Sequence, residues 1–366
     1  MSGVDPRSVE TPIGYVDLDR AKANATRVAA YAAEHGLGWR PHIKTHKSLQ
    51  IAAMQLEAGA AGLTVATLRE AEVMAEVTSD VLLAYPPVGD VKLRRLGDLP
   101  ANLDLKVALD STSVLEGVAG AAVGAGREIG VLVEQDVGLG RVGVQSAADV
   151  VRLAKRADEL DGVSFGGLMF YPGHIRMSEQ DQGSHLQDVS RLVGETLDAL
   201  GEAGLPPAIV SGGSTPTLWR SHHIAGLTEI RSGSCIFFDR EGLSVGVASH
   251  DDIAYTVLAT VVSTAVPGHA VIDSGSKALA KEGRGGDDGY GVLFDRPEVT
   301  VSSLSEEHGV LDLSDSIWAP EIGDRVRIIP NHVCVSVNLQ DTLLSRQGDS
   351  HALLALEGRG RGPFLR

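Results

Sequence analysis

A (β/α)₈ barrel followed by a smaller, mostly β domain is the fold class that this sequence predicts, and three observations carry it. Eight short apolar runs, each closed by Gly, Asp or Pro, recur along the first two thirds of the chain. Alanine-rich segments with helical periodicity separate them. From about Ile253 the character changes to β-rich runs with Gly, Pro and Asp turns and little helical periodicity. A chain of 366 residues, 43% hydrophobic, is long enough for one large and one smaller core.

Taken in order, "TPIGYVDLD" leads into the helical "RAKANATRVAAYAAEHG". The eight candidate barrel strands are "GWRPHIKTH", "GLTVAT", "DVLLAY", "LDLKVALD", "GVLVEQD", "FGGLMFY", "AIVSGG" and "TEIRSG". Helical segments such as "SLQIAAMQLEAGA" and "AADVVRLAKRADEL" lie between them. The barrel is expected over residues 1–245 and the β domain over 246–366, with residues 1–20 a candidate for the β domain as well. In the latter half, "IAYTVLATVVSTAV", "HAVIDSG", "RVRIIP" and "HVCVSVNL" read as strands. The glycine-rich "KEGRGGDDGYG" reads as a lid or surface loop, and "GRGRGPFLR" as a frayed basic tail. No internal repeat stands out.

A net charge of −16 argues against nucleic acid or an anionic membrane as principal partner. No apolar stretch is long enough to span a bilayer and "MSGVDPRSVE" lacks a signal-peptide pattern, so a cytoplasmic address is expected. Two cysteines, Cys235 and Cys334, exclude a disulfide framework; reduced thiols are the default.

Against this acidic background, "RPHIKTHK" concentrates Arg40, His42, Lys44, His46 and Lys47. On a strand, the two-residue period places Arg40, His42, Lys44 and His46 on one face. Such a row is either a solvated strand end or a barrel interior that serves an anion or a Schiff-base lysine, since an amine buried beside other cations becomes nucleophilic. "SGGSTPT" (Ser211 to Thr217) and "RSGS" (Arg231 to Ser234) follow the seventh and eighth strands, where barrels often hold phosphate on free backbone N–H groups; ordinary βα turns are the alternative. "VEQDVGLGRVGV" carries Arg141, a carboxylate clamp or a surface arginine. "FYPGHIR" offers Tyr171 and His174 as proton-transfer groups, or as a core aromatic and an exposed imidazole. In "PNHVCVSVNL", His332 and Cys334 stand two apart on an apparent strand and face the same way, so they either bind a borderline-soft metal such as Zn²⁺ or are a buried thiol near an unrelated histidine.

"TPIGYVDLD", "RPHIKTHK", "VEQDVGLGRVGV", "SGGSTPT" and "PNHVC", in this order over nearly the whole chain, resemble the fold type III pyridoxal-phosphate enzymes of the metal-dependent D-serine dehydratase and D-threonine aldolase group. The resemblance implies an alanine-racemase-like barrel, pyridoxal 5'-phosphate on Lys44, and a divalent ion at His332 and Cys334: zinc first, with manganese or magnesium as alternatives. It implies that Lys44 and Tyr171 act in catalysis. It also implies that His42, Lys44, Arg141, Tyr171, Gly212, Gly213, Ser214, Arg231, Gly233 and Ser234 surround the cofactor, the glycine loops cradling its phosphate. A small D-amino acid is the implied substrate and a homodimer the implied assembly.

Two reactions fit the resemblance. Dehydration of a D-3-hydroxy amino acid to a 2-oxo acid and ammonia is favoured by Cys334 and the "KTHK" run; retro-aldol cleavage to glycine and an aldehyde is favoured by "VNLQD". A 3-hydroxyaspartate-type substrate fits either. Racemisation would need a second base, for which Tyr290 is the candidate, and a non-catalytic cofactor carrier would lack the β domain.

Overall fold

The computed structural model describes residues 4–283 and 289–363; residues 284–288, in the expected lid loop, lie outside the described residues. The chain divides into two compact units: a barrel unit of residues 26–233 and 357–366, and a β unit of residues 1–25 and 234–356.

The first strand, β1 (Ile13–Asp17), belongs to the β unit. In the barrel unit all eight anticipated strands form: β2 (Gly38–Trp39), β3 (Leu63–Val65), β4 (Asp80–Leu83), β5 (Asp104–Leu109), β6 (Ile129–Gln135), β7 (Val163–Phe170), β8 (Ile209–Gly212) and β9 (Glu229–Ile230). They make one parallel sheet in the order β2-β9-β8-β7-β6-β5-β4-β3. A parallel bridge between His42 and Thr64 joins the two ends of that order, so the sheet curls on itself. Helices between the strands follow from capping and periodicity. In the helix Ala147–Glu159 the Ser146 side chain caps the Asp149 N–H, while Val150, Leu153, Ala154 and Ala157 form the buried stripe.

Alternate residues of the strands face inward, and they form layers. Leu82, Ala108, Leu132 and Met169 pack as one buried apolar cluster. Lys106 is two residues before Ala108, and Glu134 two residues after Leu132, so polar groups lie on the same faces on either side of the cluster.

In the β unit, β10 (Tyr255–Ser263), β11 (His269–Ile272), β12 (Gly291–Leu293), β13 (Thr300–Leu304), β14 (Gly309–Asp312) and β15 (Arg325–Pro330) are antiparallel, and pairing of β10 with β11 closes the six into a barrel. β1 lies between β10 and β16 (Thr342–Gln347), and β17 (Ser350–Ala355) pairs with β16. The register places Ile13 opposite Leu258 and Gly14 opposite Leu343.

Three expectations need correction. "GWRPHIKTH" is a strand only through Trp39: Pro41 offers no N–H, and Ile43–Thr45 is a 3₁₀ turn whose first N–H groups include Lys44 N, donating to His42 Nδ1 at 3.4 Å. "HVCVSVNL" is helical over Val333–Leu339 despite its β-branched valines. Tertiary partners outweigh the local preference: Val333 N–H donates to Asp239 Oδ2 at 2.9 Å, and Ser336 Oγ donates to Ala278 O at 2.8 Å. The start of the basic tail is not frayed, because Gly358 N–H donates to Lys47 O at 2.8 Å and Arg95 donates to Arg361 O at 2.9 Å.

Candidate active site

The cationic stretch does not present one charged face. Arg40 is buried, its Nε donating to both carboxylate oxygens of Glu229 at 2.9 and 3.0 Å and its NH1 and NH2 to Asp80 at 2.6 and 3.0 Å. Lys47 pairs with buried Glu70 at 3.4 Å; burial raises that carboxyl's pKa and Lys47 opposes the rise. His46 is buried, with Gln55 Oε1 3.0 Å from its Nε2 and Ser48 N–H donating to its Nδ1, and burial lowers its pKa to about 4. His42 is held neutral chiefly by burial and then by Lys44, Arg231 and Lys47. Lys44 is the exception: exposed rather than buried, its ammonium has no ion-pair or hydrogen-bond partner among the described residues.

Around His42 the barrel unit gathers most of the other residues singled out in the sequence. Arg231, just beyond β9, is buried, donating to Ser211 Oγ and to Phe170 O, each at 2.8 Å. The Arg141 guanidinium lies over the Tyr171 ring, 5.0 Å from its centroid. Glu134, at the end of β6, is buried; desolvation raises its carboxyl pKa, while Arg231 and Arg141 pull it down. His174 packs on the Gly138 turn, where a Cβ would stand 3.1 Å from its ring, with burial lowering its pKa.

The two glycine loops are tied together by Ser232 Oγ donating to Ser214 O at 2.9 Å and by Arg231 N–H donating to Gly212 O at 3.0 Å. A 3₁₀ turn, Leu218–His223, follows the first loop. Among the described residues the backbone N–H groups of Gly213, Ser214 and Gly233 donate to no protein acceptor. Gly213 has φ +84°, and a Cβ on Gly233 would meet His42 O at 2.3 Å, so both positions require glycine. Ser234 follows Gly233 as the first residue of the β unit. A reachable primary amine, two arginines and a set of unspent N–H groups are the donors that an anionic aldehyde such as pyridoxal phosphate needs.

In the β unit, His332 is the N-cap of the helix Val333–Leu339 and Cys334 its second residue. Helix-start geometry, rather than a strand period, brings their side chains into hydrogen-bonding contact. His332 Nδ1 lies 3.2 Å from Asp239 Oδ2 and 3.8 Å from Glu241 Oε2. Burial opposes its charged form, but Cys334 and Asp239 outweigh burial and raise its pKa to about 11. No group of three or more His, Cys, Asp or Glu with metal-binding geometry occurs among the described residues. The imidazole and thiol nonetheless fit a catalytic ion that keeps open positions, and Asp239 fixes the imidazole as an orienting carboxylate does. Tyr290, the racemase candidate, lies in the same unit with the Lys281 ammonium 5.9 Å from its ring centroid.

Asp80, Glu134, Glu229 and Asp239 were not singled out in the sequence. Asp80, Glu134 and Glu229 share a signal, a carboxylate at the first or the penultimate position of a barrel strand, as in "TSDV", "VEQD" and "TEIR", whereas Asp239, in "FFDRE", lies beyond the last barrel strand as a helix N-cap of the β unit. Among the described residues, no helix is long and apolar enough to cross a membrane.

Comparisons with known proteins bear on both units. The family model for the alanine racemase N-terminal domain matches residues 16–241, and that for a putative serine dehydratase domain matches residues 254–346. The chain is 34% identical over 355 residues to D-threo-3-hydroxyaspartate dehydratase of Delftia sp. strain HT23, covering 90% of this chain and 92% of that one. It is 32% identical over 361 residues to D-threonine aldolase of Arthrobacter sp., covering 96% and 93%. The crystal structure of D-threonine aldolase from Filomicrobium marinum superposes with a TM-score of 0.90 at 30% identity, covering 98% of each chain.

Proposed function

The chain belongs to the fold type III pyridoxal-phosphate lyases whose members act on D-3-hydroxy amino acids, and on that premise we propose that it catalyses D-serine dehydratase-type β-elimination, giving a 2-oxo acid and ammonia. The observation that carries this reading is the contact between His332 and Cys334. D-threo-3-hydroxyaspartate dehydratase has been solved with a histidine replaced by alanine and, separately, with a cysteine two positions further on replaced by alanine, the cysteine variant in a metal-free form. The same pair of residue types at the same spacing supports metal-assisted loss of the β-hydroxyl.

When bound, pyridoxal phosphate supplies an electron sink for the bond broken at Cα, and a divalent ion, zinc first with manganese or magnesium as alternatives, supplies a Lewis acid for the hydroxyl. Lys44 would hold the cofactor and then take the Cα proton on Nζ. The N–H groups of Gly213, Ser214, Gly233 and Ser234 would bind the phosphate, with Gly212 setting the loop. Arg141, resting on Tyr171, and Arg231, beside neutral His42, would orient the ring. His332 and Cys334 would hold the ion, with Asp239 orienting the imidazole. The balance is simple: the amino acid loses a Cα proton and the β-hydroxyl as water, and water then replaces ammonia at Cα. A homodimer is proposed as the assembly, and a fully active monomer in sedimentation would exclude it.

Retro-aldol cleavage is the second reading, favoured by 32% identity to an enzyme named D-threonine aldolase. Product analysis decides between the two. Cofactor-loaded, metal-supplemented protein should release oxo acid and equimolar ammonia from D-serine, and chelation or Cys334→Ala should remove that activity. Glycine with acetaldehyde from D-threonine, and no oxo acid from either substrate, would overturn the dehydratase reading.

A further inference from the structure

We propose that Ser211 and Glu229 are positioning residues for Arg231, the end of a buried chain of alternating charges that fixes which way its guanidinium points. The proposal rests on the reading that Arg231 faces the cofactor ring. Within the barrel unit the chain is continuous. Lys106 Nζ donates to Asp80 at 2.9 Å, Arg40 bridges Asp80 and Glu229 through both ends of its guanidinium, Ser211 Oγ donates to Glu229 Oε1 at 2.7 Å, and Arg231 NH1 donates to Ser211 Oγ at 2.8 Å.

The serine gives the chain its direction. A hydroxyl has one proton to donate and lone pairs to accept with. Glu229, as an acceptor, draws that proton toward itself, so only lone pairs are left to meet Arg231. Arg40 keeps Glu229 supplied with donors on both oxygens, so the carboxylate has no reason to turn toward another partner. Arg231 NH2 is anchored separately on Phe170 O. A guanidinium has five N–H donors, and among the described residues the others have no protein acceptor, although the residue is 7% exposed. A buried cation held at two points with donors to spare is aimed at something the protein itself does not provide. Glu134, also buried, lies within the field of Arg231 but is not hydrogen-bonded to it. With Ser211 absent, a gap would separate Arg231 from Glu229, and the guanidinium would be free to swing toward Glu134.

The test compares Ser211→Ala, Ser211→Thr and Glu229→Gln with the wild-type protein by titration with pyridoxal phosphate, reading affinity from fluorescence quenching and ring environment from the visible absorption maximum and its pH dependence. Removing one charge-assisted hydrogen bond should weaken cofactor binding about tenfold and displace the absorption band in Ser211→Ala. Ser211→Thr, which keeps the hydroxyl, should restore both. Glu229→Gln can offer its amide N–H to Ser211 and reverse the hydroxyl, so its folded fraction should reproduce the Ser211→Ala spectrum. A Ser211→Ala protein with wild-type affinity and spectrum would overturn the proposal, as would a normal spectrum in Glu229→Gln. If all the changes merely track a lowered melting temperature, with no rescue by threonine, the role is packing and the proposal fails. Failure of the wild-type chain to take up pyridoxal phosphate at all would instead bring down the functional reading on which this rests.

Discussion

The stretches 40–47 and 331–339 invite comparison, because both look like strands in the sequence and neither is one. In the first, five ionisable groups are sorted by the fold: Arg40 and Lys47 are consumed by buried carboxylates, His42 and His46 are kept neutral by burial, and Lys44 alone stays exposed and unpaired among the described residues. In the second, the fold does the reverse and brings two donors into mutual contact at a helix start, with Asp239 behind them. Density of functional residue types therefore means different things in the two places. In the barrel stretch it is mostly structural support for one amine, whereas in the β unit the two side chains partner each other and Asp239.

That contrast is broken most forcefully at Lys44. Lys44→Ala should abolish the visible cofactor band and lower turnover roughly a thousandfold or more, while thermal unfolding stays at the wild-type position. A band that persists would place the cofactor on another lysine. Arg40→Met is the opposite experiment, since it leaves Glu229 without its guanidinium partner and Asp80 with only Lys106. Stranding the buried Glu229 carboxylate in this way should reduce stability by about 3–5 kcal/mol, measured by urea denaturation. An unchanged midpoint would mean that the charges of this stretch are not structural.

His46 sharpens the same point through pH. Folding lowers its pKa from 6.5 to about 4, so between those values the unfolded chain binds more protons and stability rises with pH. The contribution is complete above about pH 6.5 and is lost as pH falls toward 4, by up to about 3 kcal/mol. Replacement by glutamine should flatten the stability profile across that window relative to wild type. A profile with the same slope in both proteins would exclude His46 as its source.

How much of this was legible in the sequence depends on the range of the interaction. The eight barrel strands could be read because each is a short apolar run with its own turn residues, a local signal. The two short stretches could not, because their conformation is decided by partners far along the chain: Arg40 meets Glu229 across 189 residues, and Val333 meets Asp239 across 94. Lys44, Arg231, His332 and Cys334 stood out as residue types that chemistry requires. The carboxylates that hold Arg40 and His332 did not, since a lone Asp or Glu at a strand end or in a loop looks the same whether it is solvated or buried.

Asp239 offers the finest probe of the comparison, because it acts on the β-unit pair without being one of the two donors. As a carboxylate it can only accept, so a metal that displaced the second proton of the charged imidazole would meet the tautomer of His332 that keeps its proton on Nδ1 and offers the Nε2 lone pair. An asparagine here can turn its amide N–H toward Nδ1 and favour the other tautomer, with the proton on the nitrogen that a metal would need. Its carbonyl can still accept from one of the two N–H groups that Asp239 now satisfies, Val333 and Gly242, so the helix starts should weaken by no more than about 1 kcal/mol. Asp239→Asn should therefore bind a divalent ion about 10–100-fold more weakly, in a competition titration against a calibrated chelator, with the cofactor band unchanged. Wild-type metal affinity in this variant would show that the imidazole is fixed by its place at the helix start alone, and would leave the carboxylate as a cap with no hand in binding.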